Sequence, residues 1–287
     1  MKSELNIIAV VVTYNRLDLL KQVVGGLRNQ SRKPNSILII NNDSTDGTES
    51  WLSSQSDLIM VKQENLGSSG GQYRGMKEAY DRGADYIWIM DDDVVAEKYC
   101  LEYLMNFLGE KKIIVPARIA PNGNYILCDT LKINLSNPLK NIWEKIVKNS
   151  DFKNELIQAE AIAFEGPIIH RSIIERIGLP EKKFFIFADD TEYSIRARKE
   201  NYQIFISRDA KLNRLLELPD ESEFSWKNYY MLRNIIAIDV LHGNFLVRWI
   251  RPWGYFIKWI LRFKSYDNFK TILNAFKDGY FYRSGNN

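Results

Sequence analysis

The chain has 287 residues, of which 45% are apolar, 26% charged and 13% aromatic, as expected of a folded protein of one or two domains with ample core. Its formal net charge of +3 is too small to point to nucleic acid. Cys100 and Cys128 lack CxxC spacing and read as reduced, buried thiols of a cytoplasmic protein rather than as a disulfide framework or zinc site.

The first hundred residues alternate in type. After the N-terminal "MKSEL", the run at 7–12 is too short for a signal peptide. "NIIAVVVTYN" is continuous and β-branched, as in a strand buried on both faces. "RLDLLKQVVGGLRNQS" has helical spacing, and "NSILIINN" is a second buried strand. "STDGTESWLSSQ" opens a second helix, with Ser44 or Thr45 as expected cap. "LIMVKQ" is a third strand, "GGQYRGMKEAYDRG" a helix ending at Gly83, and "DYIWIM" a fourth strand. The pattern predicts an α/β, doubly wound parallel sheet. Ligands of such sheets bind beyond the carboxyl ends of the strands, and there this chain carries Thr13 to Arg16, Asn41 to Asp43, Asn65 to Gly67 and Asp91 to Asp93.

Farther on, "KIIVPARI" is a strand, and "NPLKNIWEKIVKNSDF" is either a helix or an inserted loop. "AEAIAFEGPIIHRSIIERIGLP" gives a strand, a turn at Gly166-Pro167 and a helix ending near Gly178. "FFIFADDTEYSIRARKENY" leads an apolar stretch into a second acidic pair and a helix. Beyond 222 the chain reads as helical and aromatic. Two domains are expected, at 1–220 and 221–287. No run reaches the ~18 uncharged apolar residues of a membrane-crossing helix.

Three adjacent carboxylates, Asp91, Asp92 and Asp93, repel one another unless something compensates them. A divalent cation shared with a diphosphate does so, because Mg²⁺ and Mn²⁺ favour carboxylate and phosphate oxygens together. The alternative is a solvated acidic turn. A metal–diphosphate site suits a sugar transferase or a nucleotidyltransferase. The discriminator is a second carboxylate able to act as base, for which Asp189, Asp190 and Glu192 are candidates; favourable acids at a helix N-terminus are the other reading. A nucleotidyltransferase usually carries a glycine-rich basic loop after its first strand, where this chain has "VVTYNRLDLL". A non-catalytic saccharide- or membrane-binding protein is disfavoured by carboxylates at both sites.

In order and spacing, "VVTYNR", "IINNDSTDGT", "NLGSSGG", "WIMDDDV" and "FFIFADDTEYSIR" resemble the family 2 glycosyltransferases of GT-A fold, over about residues 5–200. The resemblance implies an inverting transfer from a nucleotide-diphospho-sugar with Mn²⁺ or Mg²⁺. It assigns Asp91 and Asp93 to the metal, with Asp91 and Asp92 also near the nucleotide, and Asp190, then Asp189, to the general base. It assigns Thr13, Arg16, Asn42, Asp43, Asn65 and Gly67 to the donor, and points to Gly166 and Arg233 as acceptor contacts. "NLGSSGGQYRGMKEAY" and "YYMLRNIIAI" resemble the galactofuranosyl- and rhamnosyltransferase branch. That favours UDP-galactofuranose, with dTDP-rhamnose as the alternative. Relatives often carry a histidine metal ligand downstream of the base; here Asn213 stands in "DAKLNRLLEL", and His170 and His242 do not fit that position.

Residues 245–264, "FLVRWIRPWGYFIKWILRFK", carry Arg248, Arg251, Lys258, Arg262 and Lys264 with no acid. Interleaved aromatics suit a helix lying in a membrane interface, broken at Pro252. The alternative is packing on the catalytic domain or against a second copy of the chain. The membrane reading agrees with a lipid-linked saccharide acceptor of a bacterial surface polysaccharide, and with a peripheral site on the inner face of the plasma membrane.

Overall fold

The computed structural model describes residues 5–217, 223–263 and 265–285. Lys264, the Met1–Glu4 residues of the N-terminal reading, and the expected domain boundary at 220/221 lie outside them.

A nine-stranded sheet forms the centre, in the order β3-β2-β1-β4-β10-β6-β11-β5, with β9 also pairing β11. Strands β1 (Ile7–Thr13), β2 (Ser36–Asn41), β3 (Leu58–Lys62) and β4 (Tyr86–Asp91) are mutually parallel. Helices α1 (Leu17–Arg28), α2 (Thr48–Ser53) and α3 (Gly67–Asp81) connect them. The β-branched runs lie here because both faces of these strands are covered. Ile8, Val10 and Val12 pack with Met76 of α3, while Ile7, Ala9 and Val11 pack with Leu20, Val23 and Leu27 of α1. Gly71 lets α3 approach β1 closely: a Cβ there would lie 2.3 Å from Val12 Cγ1. Neither Ser44 nor Thr45 caps α2. Asp46 does that work, accepting from Thr48 N at 3.2 Å and also from Leu17 N at 2.9 Å.

Beyond β4 the sheet becomes mixed. After β5 (Val94–Ala96) and α4 (Cys100–Met105), β6 (Lys112–Ile119) enters. The segment at 137–152 is neither helix nor plain loop. β7 (Thr130–Ile133) and β8 (Trp143–Ile146) form a separate two-stranded sheet, followed by a 3₁₀ turn at Asn149–Lys153. Strand pairing, with Ile142 and Val147 buried at either end of β8, overrides the weak helical spacing. β9 (Leu156–Ala159), β10 (Ile168–His170), α5 (Arg171–Ile177), α6 (Asp189–Lys199) and β11 (Gln203–Arg214) follow. His170 is structural: its Nδ1 accepts from Ser172 N at the start of α5.

The C-terminal helices α7 (Lys227–His242), α8 (Phe245–Arg262) and α9 (Tyr266–Tyr280) do not pack as a separate unit. Their Leu232, Ile236, Ile272 and Phe276 share one apolar cluster with Ile133, Ile142, Phe184 and Ile195. Pro252 does not break α8, which is continuous. Arg251 faces inward, ion-paired with Asp239 and donating to Asn134 O; it cannot meet a lipid surface. Among the described residues no helix is long and apolar enough to cross a membrane. Cys100 is buried, whereas Cys128, expected to be buried, is exposed.

Candidate active site

Strand direction decides which residues meet. β6 and β11 run parallel to each other and antiparallel to β10, which is itself antiparallel to β4. The ends of β1, β4, β6 and β11 and the start of β10 therefore reach one edge of the sheet. Thr13, Asp91, Arg118, Glu165 and Arg214 arrive there together, lining a cavity of about 910 Å³ with Asn42, Asn65 and Gly67.

The acidic triplet is compensated residue by residue. Asp92, 4% exposed, accepts from Thr13 Oγ1 at 2.7 Å and from Arg16 at 3.0 Å. Asp93 Oδ2 meets Arg16 at 3.2 Å and Arg214 at 3.3 Å. Asp91 Oδ1 accepts from Gln72 Nε2 at 2.9 Å. Among the described residues Asp91 forms no ion pair, and burial, then the charges of Asp93, Glu165, Asp92 and Asp189, push its carboxyl well above the usual range. Glu165 bridges Arg118 (2.9 Å) and Arg214 (2.5 Å). Those guanidinia outweigh its burial and hold its carboxyl below the usual range.

The second acidic pair opens α6. Burial raises Asp189 to about 7 and Asp190 to about 6. Asp190 lies within the field of Arg118 and Asp129, whereas Asp189 acts on Asp91. The pair thus stands between the triplet and the wall of the β7–β8 insertion. The loop before it is strained: Phe185, Phe187 and Ala188 have φ of 63°, 69° and 65°, a region that non-glycine residues adopt only when their surroundings impose it. Asn234, fully buried, imposes it by donating to Phe184 O, Ile186 O and Phe187 O at 3.0, 2.8 and 2.8 Å. Ser69 N donates to Phe185 O, so the start of α3 braces the same loop.

Four expected residues fall elsewhere. Arg233 does not line the cavity; its guanidinium donates to Lys183 O and Phe184 O and lies over the Tyr230 ring. It steadies the loop. Gly166 faces Pro116, has φ of +90° and accepts from Trp88 Nε1. Asp43 is exposed outside the cavity and pairs with Lys62. Asn213 turns toward Glu97, and its neighbour Arg214 faces the triplet instead. The sequence pattern does not single out Arg118, Glu165, Arg214 and Gln72, and it puts Tyr255, Lys258 and Trp259 of α8 in a membrane-interface stretch; all of them line the cavity. Extending the strand-end rule to "KIIVPARI" and "DAKLNRLLEL" finds Arg118 and Arg214.

Among the described residues no three His, Cys, Asp or Glu side chains form a ready-made metal cage. The donor set nevertheless fits a divalent cation completed by phosphate oxygens. Asp93 Oδ1 is buried without a hydrogen-bond partner.

An open α/β sheet with a cavity beyond its strand ends, lined by two acidic groups, defines the class: a GT-A glycosyltransferase fold. The structure superposes on GalNAc-T7 with UDP, GalNAc and Mn²⁺ at a TM-score of 0.68 and 10% identity, over 97% of this chain and 56% of that one. It superposes on residues 1–349 of S. aureus TarS in complex with UDP-GlcNAc at 0.60 and 15% identity, over 96% and 81%. These likenesses concern the fold. The chain belongs to glycosyl transferase family 2, whose model matches residues 8–178. Galactofuranosyltransferase GlfT1 of Mycolicibacterium smegmatis is 26% identical over 195 residues, 64% of this chain and 62% of that protein. GlfT1 of Mycobacterium tuberculosis is 28% identical over the same length, 65% and 62%. The match therefore spans under two thirds of these relatives.

Proposed function

We propose that the chain is an inverting glycosyltransferase that moves a sugar, galactofuranose by preference, from a uridine-diphospho-sugar to a hydroxyl of a lipid-linked bacterial surface saccharide. One observation carries this reading: the compensated triplet and the Asp189–Asp190 pair line one cavity, with Asp91 within the field of Asp189. The donor preference rests on the similarity to the galactofuranosyltransferases.

Thr13, Arg16, Asn42, Asn65 and Gly67 hold the nucleotide end, with Asp43 at the rim. Asp91 and Asp93 hold Mn²⁺ or Mg²⁺, which when bound neutralises charge on the leaving diphosphate. Asp190 is the base. It lies within the field of Arg118 and Asp129, and a carboxyl raised to about 6 is ionised yet basic at neutral pH. It takes the proton of the acceptor hydroxyl. The acceptor oxygen attacks the anomeric carbon opposite the diphosphate, and the bond to the diphosphate breaks with its electron pair leaving on that group. Asp189, nearer Asp91, orients the donor sugar.

The acceptor end supports the lipid-linked reading. α8 presents two stripes at helical spacing. Tyr255, Lys258, Trp259 and Arg262 line the cavity. Leu246, Trp249, Ile250, Trp253, Ile257 and Leu261 are exposed along the adjacent face. A helix seated in an anionic membrane interface on that face, with Arg248 beside it, opens the cavity next to the head groups, at the cytoplasmic side of the membrane. A second copy of the chain is the competing occupant.

A donor screen tests the function. UDP release is expected with UDP-galactofuranose and a lipid-linked saccharide. Release of dTDP from dTDP-rhamnose alone moves the donor assignment, and no release from any nucleotide sugar removes the enzyme.

A further inference from the structure

Arg214 ends β11 with its guanidinium, 16% exposed, set between Glu165 Oε1 at 2.5 Å and Asp93 Oδ2 at 3.3 Å. Arg16 reaches the same Asp93 oxygen at 3.2 Å. The other oxygen, Oδ1, is buried without a partner. One carboxylate thus has one side neutralised by guanidinia and one side bare. A divalent cation on Oδ1 would sit a few ångströms from those guanidinia, and like charges at that range repel strongly away from bulk water. A diphosphate relieves the conflict, because its multiple negative oxygens serve the cation and a guanidinium at once, and arginine matches them in forked geometry.

We infer that Arg214 is a donor-binding residue that makes metal and nucleotide bind interdependently. This inference rests on the nucleotide-sugar reading and adds to it. Without donor, Arg214 occupies Asp93 and lowers the affinity of the corner for a lone divalent cation. With donor, it turns from Asp93 to the diphosphate, and Asp93 is freed for the metal. Coupling is reciprocal, so metal tightens nucleotide by the factor by which nucleotide tightens metal. The guanidinium also gives the chain some hold on the diphosphate without any metal.

Calorimetry on the full chain separates these effects, using Mn²⁺ alone, UDP alone, and UDP in saturating Mn²⁺. The wild type is expected to bind UDP weakly without metal, with Mn²⁺ tightening it by at least about tenfold, within the usual span of site–site couplings. Arg214→Gln is expected to bind Mn²⁺ alone about fivefold more tightly and UDP alone about tenfold more weakly, so the coupling factor shrinks. Arg214→Lys, which keeps the charge, is expected to stay near the wild type for UDP alone. An unchanged or weakened affinity for Mn²⁺ alone in Arg214→Gln, or an unchanged coupling factor, overturns the inference. If Arg214→Gln does not fold, the wild type decides: UDP affinity independent of Mn²⁺ overturns it, and strong coupling with residual metal-free binding supports it. A wild type that binds no UDP at any Mn²⁺ concentration refutes the nucleotide-sugar reading instead.

Discussion

At one end of the cavity the wall is made of strand ends and carries Asp91 beside Asp92, Asp93 and Glu165, the last three interlocked with Arg16, Arg118 and Arg214 at 2.5–3.3 Å. At the other end it is made of Trp143 on the β7–β8 insertion and Tyr255, Lys258 and Trp259 on α8, all partly exposed. The first end is dry and dense in charge, where electrostatic interactions are strong and geometry is held by ion pairs. The second is basic and aromatic, suited to broad contact with a large ligand. Substitutions at the first end should act on chemistry and donor binding, and those on the outer face of α8 on delivery of acceptor. The Asp189–Asp190 pair lies between and belongs to both.

The largest expected effect is at that junction. Asp190→Asn should lower kcat by about a thousandfold, within the range for loss of a general base, while UDP affinity in Mn²⁺ changes by less than about threefold. Equal loss of both would assign Asp190 a structural role. Asn234→Ala comes next. It takes the side-chain donor from Ile186 O and Phe187 O, while Phe184 O keeps Arg233, without touching the cavity. A fall of about tenfold or more in kcat is expected from displacing the base by a fraction of an ångström; unchanged kcat would show that the loop holds itself. Smaller still is the effect of replacing Trp249 and Trp253, which are outside the cavity, by Ser. Flotation with anionic vesicles should fall by about tenfold, since each indole buries a large apolar area, while turnover on a water-soluble acceptor stays at the wild-type rate. Unchanged flotation with loss of a dimer in sedimentation would give the face to a second copy of the chain.

The charged end is legible where its residues follow directly on apolar runs. A strand read from "YIWIM" or "IIAVVV" delivers whatever follows it to the rim, so local pattern and tertiary position coincide there. The aromatic end is not legible. Trp143 and Tyr255 come together only because β7 pairs with β8 and α8 packs over the insertion, the latter a contact between segments over a hundred residues apart. Arg251 shows the same limit within one helix. The sequence places it among surface cations, yet its partner Asp239 on α7 draws it inward. Asn213 and Arg214 differ by one residue on a strand, and strand alternation sends them to opposite sides, which no composition rule could decide. The reason for "YYMLRN" lies in the fold: Arg233 and Asn234 hold the loop that precedes Asp189 and Asp190.

The smallest effect concerns stability, and it has the opposite sign to the largest. Burial raises Asp190 from 3.8 to about 6, so the folded state holds that proton more tightly than the unfolded chain. Stability conferred by the group is then greatest at low pH and falls as pH rises from about 4 through 6; above that window its ionised form is fully penalised. Asparagine keeps the shape without titrating. Asp190→Asn should therefore raise the melting temperature at pH 8 by a few degrees, a gain that vanishes near pH 4, while wild-type kcat/KM climbs as pH rises through about 6. A gain of equal size at both pH values would mean that the carboxylate is not strained by its burial, and the basis for its strength as a base would be lost.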